Sequence, residues 1–356
     1  MGSLTRIDHP AGVAARFAAA KRAYTVRHVP LAEIAGLRTD ASPEPGDIVL
    51  ARVEQLGQHQ HLEDAAGRRA KMWPGDEILV AYGNRYAPDQ FEAYVPSGLQ
   101  PCNLVAGGGV AASVSSRHPQ VRQATAIAPI GLAADAQGVP LNLRRFALAP
   151  LAPPARRPPV IAAVGGSMNT GKTTTACGLV RGLRAAGLRP AAAKVTGTGS
   201  GGDRWAVADA GAIAVLDFTD FGYVTTFGIS VAQIEAILAQ AIARHMQAGA
   251  EAIVIEIADG VLQQETAALL ASARFGQLVD AVVYAAESAM SASAGVTWLE
   301  ARGVNVVAVS GLLTASPLAT REAAAALTLP VLRLDTLCEG GFARDLVDGL
   351  RQPVAA

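Results

Sequence analysis

The eight residues Gly166-Ser167-Met168-Asn169-Thr170-Gly171-Lys172-Thr173 constrain this chain more than any other stretch, because they satisfy the pattern G-x-x-x-x-G-K-[ST] in full. An apolar run, Val160 to Val164, precedes them and reads as a short buried strand. A helical pattern follows from Thr174 to Ala186, with Leu179, Val180 and Leu183 on one face and Gly187 as its stop. Strand, glycine loop and helix in that order is the context in which such a loop cradles phosphates. Glycines let backbone N–H groups turn inward, and the new helix points its positive dipole end at the anion. The nucleotide-binding set is therefore Gly166, Ser167, Met168, Asn169, Thr170, Gly171, Lys172, Thr173 and Thr174. Within it Lys172 reaches the β- and γ-phosphates, and the Thr173 hydroxyl is a ligand for Mg²⁺.

At 356 residues the chain is long enough for two domains with separate cores. The segment from Ala149 to Pro159 is rich in proline and reads as a stiff linker. It divides a mainly-β N-terminal domain, 1–148, from a nucleotide-binding domain, 160–356. Upstream, a short helix over Val13 to Ala23 gives way to brief β-runs. Pro45-Gly46-Asp47 leads into Ile48 to Val53, and Pro74-Gly75-Asp76 leads into Ile78 to Tyr82. A turn triplet repeated before a β-run predicts a small antiparallel barrel or sandwich.

Downstream, apolar runs at 160–164, 190–195, 252–257, 281–285, 304–310 and 330–334 alternate with helical patterns at 173–186, 204–210, 230–248, 262–272, 292–302 and 318–327. Continuous apolar strands between helices predict an α/β fold, a parallel sheet covered by helices on both faces. Asp217 to Thr226 fits neither pattern and reads as a substrate loop or as a hairpin with ordinary turn aspartates.

Lysines plus arginines equal aspartates plus glutamates at 30 each, so charge implies neither a nucleic-acid nor a membrane partner. No apolar run approaches the ~18 residues of a membrane span. The first residues show no signal-peptide core and no myristoylation pattern. Three widely spaced cysteines suit a reducing compartment, and a cytoplasmic location is expected. The chain uses only four lysines, Lys21, Lys71, Lys172 and Lys194.

Ligands of parallel α/β sheets sit beyond the carboxyl ends of the strands, so the polar residues ending each strand matter most. The 190–195 strand runs into Lys194 and a loop with Thr196, Thr198 and Ser200, closing at Asp203. Lys194 is placed to supply charge opposite the γ-phosphate. Asp203 reads either as a helix N-cap or as a metal ligand. Glu256 ends an otherwise apolar strand, where a carboxylate costs several kcal/mol unless it is paired or metal-bound. With Thr173 it completes the expected Mg²⁺ set of Thr173, Asp203 and Glu256; Asp259 competes for the same role. Glu287 ends the next strand. Thr196, Thr198, Ser200, Asp259 and Glu287 are the candidate substrate residues. An Asn-Lys-x-Asp guanine reader is absent at Ser310-Gly311-Leu312-Leu313, which favours ATP. In the first half, Arg85 reads as a substrate-carboxylate binder or a surface turn residue. His59, His61 and His118 lack the neighbours of a metal site.

On these residues the second half resembles the dethiobiotin synthetase-like group of P-loop proteins. The resemblance assigns Lys172 and Thr173 to the phosphate loop, Lys194 to the substrate site, and Asp203 and Glu256 to magnesium. The group's Glu-Gly-Ala-Gly-Gly stands here as Glu256-Ile257-Ala258-Asp259-Gly260. Lys194 to Ala212 is also similar to the GTP-binding adaptors of molybdopterin-guanine dinucleotide synthesis and to the domain of unknown function 1611 family, some members of which transfer acyl groups to amino acids. The resemblance spans roughly residues 158–340.

It implies an ATP- and Mg²⁺-dependent kinase or ligase, with Lys172 and Lys194 as catalytic residues, acting on a small anionic carboxylate or carbamate. A homo-oligomer, taken as a dimer, is expected. Two alternatives stay open: a nucleotide-dependent delivery module with slow hydrolysis, and a coenzyme A-dependent acyltransferase that seats pyrophosphate in the loop.

Overall fold

The computed structural model describes residues 10–152 and 157–351. The first nine residues, on which the leader and lipid-signal readings rest, lie outside it, as do residues 153–156 at the centre of the proline-rich segment. The chain forms two compact units. One contains residues up to Ala149 together with Thr198–Gly202 and Phe218–Gly228; the other contains Pro150–Gly197, Asp203–Asp217 and the chain from Ile229 onward. The sequence places all of 160–356 in one domain; the two short segments group instead with the first unit.

The first unit begins with α1 (Pro10–Ala19) and continues through β1 (Lys21–Arg22), β2 (Gly36–Arg38), β3 (Ile48–Gln55), β4 (His61–Glu63), β5 (Arg69–Lys71), β6 (Glu77–Tyr82), β7 (Arg85–Tyr86), β8 (Phe91–Tyr94), β9 (Cys102–Ala106), β10 (Val110–Arg117) and β11 (Thr125–Ala134). Strands β6, β3, β11, β9 and β10 neighbour one another in that order, and β10 pairs back onto β6, closing a ring. Closure leaves these five strands without free edges. The repeated turn triplet has a physical basis. Asp47 accepts the Glu44 N–H at 2.8 Å, and Asp76 accepts the Trp73 N–H at 2.7 Å. Each aspartate thereby tightens the turn before a strand, and those strands pair antiparallel with Ile48 opposite Ala81.

The two later segments are tied into this unit by named contacts. The Glu63 carboxylate accepts Ser200 Oγ at 2.9 Å and Gly201 N–H at 2.7 Å. Gly199 N–H donates to the Val224 carbonyl at 2.9 Å, and Val224 belongs to the barrel core. The Arg27 guanidinium reaches Asp220 at 2.5 Å and Thr219 at 2.6 Å. Arg85 is buried in β7 and donates to Gln90 at 2.9 Å, so it is not a surface turn residue. His59 bonds the Val105 carbonyl at 3.0 Å, and burial pushes its imidazole down to about 4.

The second unit holds β12 (Val160–Gly165), α2 (Lys172–Ala185), β13 (Pro190–Lys194), α3 (Gly202–Asp209), β14 (Val215–Asp217), α4 (Val231–Gln247), β15 (Ala252–Glu256), α5 (Gln264–Leu270), α6 (Ala273–Leu278), β16 (Ala281–Ala285), α7 (Ala289–Glu300), β17 (Val306–Ser310), α8 (Pro317–Ala326), α9 (Leu334–Cys338) and α10 (Gly341–Arg351). Its six strands are all parallel, in the order β14-β13-β15-β12-β16-β17. Ile161, Ala163, Ala192, Val254, Val283 and Ala308 face α2, α3, α9 and α10. On the other face α4 packs on β13, and α7 on β16 and β17. Burial of both faces explains why these strands are continuously apolar.

Three local readings change. The 262–272 helix forms as α5, and a second helix that the sequence reading lacks, α6, follows it, because Ser272 accepts the Phe275 N–H and starts a new helix. The 330–334 strand reduces to one bridge, Val331 to Val309, before α9 begins. The polar stretch after Ala214 opens with the three-residue β14 and then joins the first unit.

Helix α9 lies close on α2. A Cβ at Gly182 would stand 2.0 Å from the Leu337 carbonyl oxygen. Gly182→Ala is expected to cost about 1–3 kcal/mol through forced separation of the two helices. Urea unfolding followed by circular dichroism checks this, and an unchanged transition would contradict the close approach.

Candidate functional site

The site grows from the carboxyl ends of β12, β13 and β15. Parallel pairing sets Ala163 of β12 opposite Glu256 of β15, and Lys194 of β13 opposite the same glutamate. One register thus brings the last turn of β12, an ammonium and a carboxylate to one level of the sheet.

The phosphate loop leaves β12 at Gly165 and enters α2 through Gly171, whose φ of 96° is left-handed. That value favours glycine, because a Cβ there crowds the following carbonyl. Asn169 is the single non-glycine with positive φ among the described residues, at 62°. Thr170 is buried and donates to the Ser167 carbonyl at 3.2 Å, while its own carbonyl accepts the Leu312 N–H at 2.9 Å. Ser167, Asn169 and Thr174 are exposed and Met168 half-buried. Gly260 supports the loop from below: a Cβ on it would sit 2.4 Å from the Gly166 carbonyl oxygen. The last glycine of the Glu256 to Gly260 segment therefore keeps a steric role.

Lys172 is only 6% exposed and donates to the Ser167 carbonyl at 2.5 Å, folded back along its own loop. Burial lowers its ammonium below the ordinary lysine range, and Glu256 and Asp259 offset part of that. Thr173 points its hydroxyl at two carboxylates, 3.1 Å from Glu256 Oε1 and 3.2 Å from Asp203 Oδ1. Asp203 lies inside the first turn of α3 and turns its side chain to this cluster. Lys194 Nζ is hydrogen-bonded to Asp203 Oδ2 and lies 3.6 Å from Glu256 Oε1.

The charges answer to one another. Burial pulls the Lys194 ammonium down, but Glu256 and Asp203 outweigh it and hold it above the ordinary range. Burial raises Asp203 in turn, and Lys194 more than reverses this, leaving the carboxyl below its usual range. Glu256, 4% exposed, stays above the usual carboxylate range because burial outweighs the help of Lys194.

The structure brings together Lys172, Thr173, Lys194, Asp203 and Glu256, with Asp259 close enough to act on both lysines. Thr196 is spent internally: its hydroxyl donates to the Ala258 carbonyl, which also accepts Thr266 Oγ1 at 2.9 Å. Thr198 and Ser200 belong to the first unit, where Thr198 bridges Thr225 and Ser200 serves Glu63. Glu287 is exposed after β16, on the same side of the loop as Tyr284 and Ser291, all three near Gly166.

One feature escapes the sequence. A cavity of about 580 Å³ opens beside the start of α2, lined by Gly171, Thr174, Ser310, Gly311, Arg333 and Asp335, among others. Its far wall is α9, just past the 330–334 run that the sequence reads as a strand.

Among the described residues no group of three or more His, Cys, Asp and Glu side chains is placed to hold a metal ion. A cation here would draw on two carboxylates and the Thr173 hydroxyl. That hard-oxygen set fits Mg²⁺, which ordinarily keeps waters and phosphate oxygens in its remaining positions. No helix among the described residues is long and apolar enough to cross a membrane.

No protein-family model matches the chain, and no curated protein matches it. Among solved structures it is similar to the signal recognition particle receptor FtsY from Elizabethkingia anophelis in complex with GDP, at 13% identity and TM-score 0.34, over 56% of each chain. It is also similar to the signal recognition particle 54 kDa protein from Aeropyrum pernix K1 in complex with GDP, at 18% identity and TM-score 0.37, over 55% of this chain and 47% of that one. The chain thus spans about half the length of these structures. The P-loop α/β assignment stands on this chain's own sheet order and loop.

Lys172→Met removes, at similar volume, an ammonium whose burial Glu256 and Asp259 only partly offset. We expect it to raise the ligand-free thermal midpoint, measured by calorimetry. A lowered midpoint would mean that the bond to Ser167 outweighs the burial.

Proposed function

We propose that this chain is an ATP- and Mg²⁺-dependent enzyme that transfers the γ-phosphoryl group to a small anionic metabolite, a carboxylate or carbamate. The observation that carries this is the convergence of Thr173 on Asp203 and Glu256 at the start of α2, at 3.2 and 3.1 Å. Backbone N–H groups of the loop and the α2 N-terminus take up the phosphates. Lys172 leaves the Ser167 carbonyl and neutralises charge developing on the transferred group, the main task of such a site. Mg²⁺, held by Thr173, Asp203 and Glu256, supplies further charge neutralisation when bound. Lys194 positions the acceptor oxygen in line with the phosphorus. A carboxylate or carbamate is already anionic and needs no base to become a nucleophile. The nucleoside end takes the cavity beside Gly171 and Thr174, whose volume suits a base and ribose.

A second reading has its own support. Lys194 already answers the two carboxylates without a metal, so the loop amides alone would seat a pyrophosphate, as in a coenzyme A-dependent acyl transfer.

The deciding experiment is a metabolite screen by thermal shift with ATP and Mg²⁺, followed by turnover assays on the hits. Lys172→Ala is expected to abolish nucleotide-dependent turnover. Lys194→Ala is expected to spare ATP binding and remove acceptor-dependent turnover. Full activity in Lys172→Ala would sink the phosphoryl-transfer reading. Acyl-CoA that displaces ATP without any metal requirement would favour the second one. Hydrolysis indifferent to every metabolite but stimulated by a protein would make the chain a delivery module.

A further inference from the structure

The Lys194 ammonium stands where the phosphoryl-transfer reading needs a metal. Its Nζ bonds Asp203 Oδ2 and lies 3.6 Å from Glu256 Oε1, the same oxygen that Thr173 Oγ1 approaches at 3.1 Å. The two carboxylates proposed as metal donors thus already face a cation supplied by the chain itself, and the third donor, Thr173, is bonded to both of them. We propose that Lys194 is an internal counter-ion that fills the divalent-cation seat of the ligand-free site and gives it up when Mg²⁺ binds, so that metal binding frees the ammonium for the acceptor. The inference rests on the phosphoryl-transfer reading and adds to it an order of events.

Charge and space both support the exchange. Two carboxylates with one ammonium between them leave a single net negative charge, enough to keep the seat intact without a metal. A divalent ion within reach of the same oxygens repels the ammonium strongly in so enclosed a place. One of the two cations has to move, and the lysine is on a flexible four-carbon stem. The turn beside it puts no side chain against that stem: a Cβ at Gly197 would stand 3.0 Å from Lys194 Cε. Glu256, by contrast, is fixed on a paired strand, Asp203 is carried by the first turn of α3, and both meet the Thr173 hydroxyl, so the seat keeps its shape as its occupant changes. The exchange makes and breaks no covalent bond. The ammonium trades two carboxylate contacts for an anionic acceptor, and Mg²⁺ takes its place.

Amine-selective acetylation read by mass spectrometry follows each of the chain's four lysines separately. The full chain is labelled with Mg²⁺ alone from zero to millimolar, with ATP alone, and with both. Lys194 labelling is expected to rise about tenfold across the Mg²⁺ titration as its contacts with the carboxylates are lost. Labelling that stays flat or falls overturns the proposal. ATP protection of Lys172 in the same samples tests the nucleotide reading independently. If Lys172 is not protected, that reading fails; if it is protected while Lys194 does not respond, only the exchange fails.

A second measurement uses Mn²⁺ binding by electron paramagnetic resonance without nucleotide. Lys194→Met, shown folded by circular dichroism, is expected to bind Mn²⁺ about tenfold more tightly than wild type, because two carboxylates lose their internal partner. Equal or weaker binding would show that the lysine only braces the site.

Discussion

Everything at the candidate site depends on keeping one buried carboxylate, Glu256, at the end of a central strand. A charge 4% exposed between two apolar strands costs several kcal/mol unless its oxygens are answered. The answers come from separate elements. Thr173 arrives with α2, and Lys194 arrives from β13 by direct register. Asp203, brought by α3, then satisfies both Lys194 and Thr173. The strand order that places β15 between β13 and β12 is what lets these side chains meet, so topology and electrostatics are one constraint here.

The backbone after Glu256 is fixed with equal care. Two threonine hydroxyls, from Thr196 and Thr266, donate to the Ala258 carbonyl. That anchors the segment leading to Gly260, which underlies Gly166 too closely for any side chain. The phosphate loop is therefore held at its floor by the strand that carries the acid. A change in the acidic segment moves the loop, and the two cannot be altered independently.

Much of this was legible in the sequence because it is local. The phosphate loop is a contiguous motif, and an acid ending an apolar strand is conspicuous whatever surrounds it. Lys194 and Asp203 emerged from asking which polar residues end each strand. Thr198 and Ser200 sit in the same loop and look equally suited to a substrate. Nothing local separates them from Lys194, because Ser200 is claimed by Glu63, 137 residues away. The same holds for 218–228, drawn to Arg27 and the barrel core. Strand β14 is three residues long, too short to show a period. The cavity wall was hidden for a different reason. Val331 and Leu332 are apolar enough to suggest a strand, but only one bridge forms before the chain turns into α9.

The scarcity of lysine acquires a meaning in this setting. Two of the chain's four lysines stand at this one site, in a protein that otherwise relies on arginine. A guanidinium is planar, broad and permanently charged, well suited to the exposed and half-buried pairs elsewhere, such as Arg145 with Asp135 or Arg157 with Asp280. It matches neither task at this site. Lys172 threads back inside its own loop to a single carbonyl, where a fork of five donors would leave several unanswered. Lys194 stands between two acids as a compact point charge, the same form in which a small metal ion would stand. A cation that is small, single-pointed and mobile on its stem is interchangeable with such an ion in a way that arginine is not.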